Sequence, residues 1–417
     1  MRGGRVAVVG GSIAGCAFAS AAVRAGADEV SVLERTRGRL ADRGVGLCVH
    51  DDRAAELAAA GALPAGIAAH PLARRRWLVR DDAAGPAGRV FWEQPFPFHS
   101  YHWGLLWRGL REATPRSVLY RQGAAVAGVA DAPCAPDASD TSGTAGGHAE
   151  VRLADGTVEA YDLVVGADGY RSVVREAVCP DHLPQYAGYV CWRGNLDAAR
   201  LPAAGAGDWP SDTVATVCWP GGSCVVYRIP GPDGLRVNWV LYATPPQAGR
   251  LPYDDPTSFP PGRVTEQLTA HLDEILDRRF PPYWARVLGL TEPRDVHVQP
   301  LYDLATDRIT AGRLLLAGDA ASVVRPHNTS GAAKALQDAA AFEAAWRAAG
   351  SWAELLSAYR DSRGAAGREL VALARRLGRA QVERTPAWAA MDGPAARAWW
   401  QAQLGGAPDI GGRAMTP

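Results

Sequence analysis

The chain has 417 residues, with 44 Lys and Arg set against 44 Asp and Glu. That balance excludes the basic field that draws in nucleic acid and the acidic tail that seeks a basic partner, and no apolar run nears the roughly 18 residues that span a bilayer. The length suits two or three domains, and seven cysteines without a C-x-x-C pair argue for a reducing, cytoplasmic setting and against a metal site.

Residues 6–9 form the short apolar run that a parallel strand buried on both faces requires, and Gly10-Gly11 closes it with a turn. A helix follows, then a second strand ending in Glu34. The pattern is G-x-G-x-x-G with Ser12 in place of the middle glycine. Around Ser12, Ile13 and Ala14 the helix start offers backbone N–H groups and a positive dipole end to a pyrophosphate; Gly15 permits tight helix packing, and Glu34 accepts from a ribose diol. This describes a site for an ADP-containing cofactor, NAD or FAD. Arginines before an apolar stretch resemble a secretory leader superficially, but the complete strand-turn-helix-strand unit reads as structure.

Arg35 opens a loop rich in arginine and glycine, in which Arg43 suits a phosphate clamp or plain solvation. A strand at 47–50 ends in His50, with a helix at 51–60 after it. Strands are expected at 77–79 and 89–92, an irregular aromatic stretch with His99 and His102 at 95–102, and a helix carrying Arg108 at 103–112. Strands at 118–120 and 124–129 precede a hairpin over 151–159 that turns at Asp155-Gly156. Between them, 131–148 is Ala, Asp, Ser, Thr, Gly and Pro almost throughout and is expected to be a floppy insertion. A second buried strand then runs into Asp168-Gly169 and a helix with Ser172 and Arg175.

From 186 to 299 the texture becomes tryptophan- and valine-rich, with strands expected at 189–196, 213–219, 223–229 and 236–242 as a second sheet. Trp192, Arg193, Tyr227 and Trp239 either line a pocket or fill that sheet's core. Cys191 reads as a small core residue. After a proline-rich connection at 252–262 and a helix at 264–279, the glycine turn returns in Gly318-Asp319. Helices at 331–348, 352–363 and 367–385 complete the ordered chain, and everything from Pro386 reads as a loose tail. Lys334, the only lysine, reads as an ordinary helix lysine at a surface or packing position.

Three strand ends carrying glycine with an acid suit one elongated cofactor touched in three places. In this ordered triple the chain resembles the class A flavoprotein aromatic monooxygenases, the para-hydroxybenzoate hydroxylase-like enzymes, over about 5–385. The segments from Tyr186 to Gly194, Gly318 to His327 and Gly331 to Ala335 resemble the branch containing 2,6-dihydroxypyridine 3-monooxygenase. The resemblance implies an α/β fold: a Rossmann-like FAD-binding domain (1–75, 100–185, 297–385) with a parallel sheet, helices and a β-meander, a substrate domain (76–99, 186–296) with a mixed or antiparallel sheet, and a tail (386–417). It places the ADP part of FAD at Gly10, Gly11, Ser12, Ile13, Ala14, Gly15, Glu34 and Arg35, with Arg43 and Arg108 as flavin-contacting arginines. Asp168 falls near the pyrophosphate, and Gly318 and Asp319 at the ribityl chain.

Function follows the same implication: NADH or NADPH reduces FAD, O2 is taken up as a C4a-hydroperoxide, and a small aromatic or N-heteroaromatic ring is hydroxylated. Epoxidation or oxidative decarboxylation on the same fold, a flavin carrier without turnover and a simple NAD dehydrogenase stay open, whereas a halogenase is disfavoured because no W-x-W-x-I-P occurs. A base of near-neutral pKa suits the task, and His327 leads the histidines for that catalytic role. His50, Trp192, Tyr227, Trp239, Pro326 and Asn328 are the expected substrate pocket, and a homodimer the expected assembly. The sequence departs from the family at Ser322, at His327-Asn-Thr-Ser330 and at Ala333, positions that flank the flavin ring in relatives.

Overall fold

In the computed structural model of the chain, the described residues are 3–38, 45–132, 147–205, 209–246, 264–412 and 414. Strand Arg5–Val9 sits inside a six-stranded sheet, with Glu29–Glu34 then Leu119–Gln122 on one side and Leu163–Gly166, Leu314–Leu316 and Thr310–Ala311 on the other. All neighbours are parallel except the short last pair. Val6, Ala7 and Val8 have no exposed surface, because helix Ile13–Ala25 covers one face of the sheet. The expected hairpin forms as strands His148–Leu153 and Val158–Tyr161 around Gly156 at φ 90°, in a three-stranded sheet with Val126–Ala132. Most of the expected insertion at 131–148, much of the arginine-rich loop with Arg43, and the connection at 252–262 lie outside the described residues.

The second sheet has nine strands, ordered Ser322–Val323, His297–Ala305, Gln185–Asp197, Leu235–Ala243, Gly222–Pro230, Thr213–Trp219, His70–Val79, Arg89–His102 and Gly46–His50. It joins Gly46–His50, the start of His70–Val79 and His297–Ala305, from the block expected to hold the cofactor, to the strands of 186–299. The stretch at 95–102 is regular strand, not irregular. Phe96, Phe98 and Ser100 alternate inward, and Pro95 is accommodated where the pairing shifts register opposite Leu72 and Arg74.

Two further expectations change. The helices at 352–363 and 367–385 are one helix, Trp352–Gly378, followed by a wider π-turn at Arg379–Glu383. Gly367 does not break it but allows close approach, since a Cβ there would stand 2.9 Å from Ser322 Oγ. The tail is also ordered: helix Gly393–Leu404 lays Trp399 and Trp400 against Trp77, with centroids 5.7 and 5.5 Å away, while Trp388 and Trp92 flank the same ring. Burying such aromatic area outweighs the glycines and prolines around it.

Candidate functional site

The three glycine turns converge because their strands are neighbours: Val9 pairs with Gly166 and Gly166 with Leu316. Their carboxyl ends therefore open on one side of the sheet, where strand order reverses and ligands bind in folds of this kind. A Cβ on Gly10, at φ 98°, would fall 2.5 Å from the Ala167 carbonyl, and one on Gly15 would overlap the Gly10 carbonyl. Gly318, at φ 54°, rests against Ala14, 3.1 Å from a built Cβ. Arg175 ties the second turn to the third by donating to the carbonyls of Tyr170, His182 and Ala320.

Ser12 precedes helix Ile13–Ala25 without capping it, which leaves the hydroxyl and the first-turn N–H groups of Ile13, Ala14 and Gly15 available to an anion. Glu34 Oε2 accepts from the Gly11 N–H at 2.7 Å and Oε1 from the Thr36 N–H at 2.8 Å, so only its remaining lone pairs can meet a ribose. Asp319 is exposed, with no hydrogen bond or ion pair among the described residues, yet protein surrounds it closely enough that desolvation raises its carboxyl. Both facts hold for a side chain on the floor of a crevice. These features fit the pyrophosphate, ribose and ribityl parts of FAD.

The other expected cofactor residues are placed as follows. The Asp168 carboxylate turns to the start of helix Val173–Val178, accepting from Ser172 Oγ and the Val173 N–H at 2.7 Å, and desolvation raises it despite those bonds. Arg35 and Arg108 are exposed and have no ion pair among the described residues, and Arg43 lies outside them. Sequence reading missed Trp107 and Tyr120, which both donate to the Gly11 carbonyl, at 2.9 and 2.8 Å, and so hold the first turn from outside the motif. It also misjudged Lys334. That side chain is 2% exposed, and its Nζ donates to the Gly318 carbonyl at 2.9 Å and to Asp338 Oδ2 at 2.8 Å, while Asp338 accepts from the Gly318 N–H and from Arg363. A buried cluster of two cations and one carboxylate thus clamps the Gly318-Asp319 turn.

The nine-stranded sheet decides which expected pocket residues can reach a substrate. Trp192 and Trp239 enter the core beneath helices Glu266–Arg279 and Pro282–Gly289, with Trp239 Nε1 donating to Thr291 Oγ1, so neither lines the pocket. The opposite face carries Cys191, Arg193, Tyr227 and Tyr242. Half-buried Arg193 donates through Nε to Cys191 Sγ and has no other side-chain partner among the described residues. Asn328, with no exposed surface, uses its amide on the Leu370 carbonyl and the Ser330 N–H, and its carbonyl accepts from the Gly411 N–H. It is a loop strut, which removes it from the pocket.

The candidate histidines each have a partner within the protein. His50 and His102 cap helices by accepting from the Asp52 and Gly104 N–H groups, and His99 pairs with Asp51. His327, beside half-buried Pro326, hydrogen-bonds the Tyr189 hydroxyl at 2.8 Å and lies against the Tyr242 ring at 4.2 Å. Burial, with Arg325 and Arg75 nearby, drops its pKa to about 3, so it is neutral at physiological pH and ill suited to hold a proton taken from substrate. The loop after it departs from glycine at a cost: Thr329 sits at φ 52°, the left-handed region.

Among the described residues no His, Cys, Asp or Glu cluster could hold a metal and no helix is long and apolar enough to cross a membrane. Residues 259–374 match the model of the FAD binding domain, and 186–299 that of an FAD binding domain-like family. A 3-amino-4-hydroxybenzoate 2-monooxygenase of Streptomyces platensis is 30% identical over 347 residues, 80% of this chain and 77% of the relative. The 2,6-dihydroxypyridine 3-monooxygenase of Paenarthrobacter nicotinovorans is 33% identical over 201 residues, 46% of this chain and 49% of that protein. The solved structure of 2,6-dihydroxypyridine-3-hydroxylase from Arthrobacter nicotinovorans superimposes with a TM-score of 0.75 at 25% identity, covering 92% of this chain and 94% of that one. Sequence and fold agree, and the chain belongs to the FAD-dependent aromatic monooxygenases.

Proposed function

We propose that the enzyme hydroxylates a small aromatic or N-heteroaromatic ring in the cytoplasm, with O2 and with NADH or NADPH as reductant, as the names of its relatives suggest. FAD would supply both the acceptance of hydride and the activation of oxygen. The N–H groups of Ile13, Ala14 and Gly15 hold the pyrophosphate, Glu34 the ribose, and Asp319 the ribityl hydroxyls. The substrate lies against the sheet face that carries Arg193, Tyr227 and Tyr242. Those rings, closed in by the π-turn and by helix Gly393–Leu404, exclude the water that would divert activated oxygen to H2O2.

One observation carries the reading: Asp319, exposed and unpartnered, stands next to the fingerprint helix at the turn where Gly318 meets Ala14. The test is purification followed by a visible spectrum and NAD(P)H oxidation with 3-amino-4-hydroxybenzoate, 6-hydroxynicotinate and 2,6-dihydroxypyridine. Yellow protein whose NAD(P)H consumption rises with one of these rings, giving a product 16 mass units heavier (one added oxygen atom), is expected. Colourless protein that takes up no FAD ends the proposal. Sedimentation velocity tests the homodimer.

A further inference from the structure

We propose that Arg75 is a specificity-determining residue that anchors a carboxylate on the substrate ring; this rests on the substrate placement above. Arg75 lies on strand His70–Val79 and is 4% exposed. Its Nε donates to Thr216 Oγ1 at 2.7 Å, and its guanidinium stands 4.0 Å over the Trp77 ring and 5.7 Å from that of Trp400. The plane and rotation of the group are therefore set before any ligand arrives. Yet the two terminal nitrogens have no hydrogen-bond partner among the described residues, and no described carboxylate comes within 4 Å.

Other buried arginines of this chain look different. Arg325 is paired with Asp303 and Glu383, and Arg175 reaches three carbonyls. Taking a guanidinium out of water is costly unless its charge and donors are met, so an unmet one in the interior marks a place where something else completes it. The groups facing Arg75 do not complete it. Cys48, Cys218 and Tyr242 are held neutral by burial, Cys48 up to about 12, and His327 is neutral as well. Among the described residues Asp409, on the chain end after helix Gly393–Leu404, is the acid that acts on Arg75; it stands beyond ion-pair distance, and its carboxylate accepts from the Ile410 N–H at 2.7 Å.

What is left is a planar, two-pronged donor beside Tyr242, which is on the face assigned to substrate, and beside Cys48 and His327, which adjoin Tyr227 and Tyr242 of that face. Two parallel N–H groups match the two oxygens of a carboxylate better than a lysine would.

Titration of the FAD-loaded enzyme, followed by the flavin difference spectrum, compares 4-hydroxybenzoate with phenol and 6-hydroxynicotinate with 2-hydroxypyridine. The native enzyme is expected to bind the carboxylated member of each pair about 10- to 100-fold more tightly, a ratio that falls towards 1 in Arg75→Gln and only partly in Arg75→Lys. Asp409→Asn, which removes the competing acid, is expected to tighten both carboxylated probes. A native enzyme without anion preference, or Arg75 variants that keep the native ratio, overturns the assignment. Should Arg75→Gln fail to fold, Arg75→Lys carries the same comparison, and an unchanged ratio there is equally fatal. Failure of the native chain to bind FAD would instead sink the proposed function.

Discussion

Replacing Lys334 by Met isolates the clamp behind the Gly318-Asp319 turn. The native ammonium is 2% exposed and bonds both the Gly318 carbonyl and Asp338. Methionine keeps the volume but leaves that carbonyl only the Ala321 N–H, at 3.1 Å, and Asp338 only Arg363 as a cation among the described residues. Breaking a buried pair by removing one partner costs about 3–5 kcal/mol. Unfolding entropy near 2.1 cal/mol/K per residue gives roughly 0.9 kcal/mol/K over 417 residues, so the melting midpoint should fall by about 3–6 °C. Burial pushes the Asp338 carboxyl up, but Lys334 and Arg363 overcome it and hold the group below its ordinary value. Its ionised form thus contributes stability that is present above the unfolded pKa and lost as pH falls through the folded one. Without Lys334 burial gains weight, and the acid limb of the stability profile should move to higher pH. Loosening the turn that carries Asp319 should also weaken FAD binding, so differential scanning fluorimetry of apoprotein across pH, with FAD titration by fluorescence quenching, measures all three effects. A midpoint within about 1 °C of native, an unmoved acid limb and unchanged FAD affinity would together refute the clamp.

Asp319→Ala should weaken FAD binding at least tenfold while leaving the apoprotein melting midpoint in place, because the carboxylate has no protein partner to lose; a drop in apoprotein stability would mean that it has a structural role. Thr329→Gly removes a β-branched side chain from φ 52° and should stabilise the protein by about 1 kcal/mol, read as a shift of roughly 1 °C; destabilisation would show that the strain is compensated by contacts of the threonine. His327, depressed to about 3, binds its proton in the unfolded chain below about 6.5 but not in the native one, so stability should decline as pH falls through that window. His327→Phe should flatten that part of the profile, and an unaltered slope would place the titration elsewhere.

The sequence by itself determined the nucleotide-binding half, because its signals are local. An apolar run, a turn free of Cβ and a helix start lie within a dozen residues, and each repeats the physical requirement of the next. Three such turns were enough to predict one elongated cofactor, and the adjacency of their strands agrees with it. Tertiary structure alone decided the substrate side. Trp192 and Arg193 are consecutive letters, but which enters the core and which faces the pocket depends on where helices cover a nine-stranded sheet assembled from distant segments. Histidines that read as bases became helix caps or neutral struts, since burial and partners set a pKa and neither is written in a motif. The tail looked loose by composition and is ordered by packing, for tryptophans at 388, 399 and 400 find their partner only when Trp77 is brought beside them. Local patterns carry local geometry; charge, burial and the face a side chain takes are properties of neighbours that the chain meets only on folding.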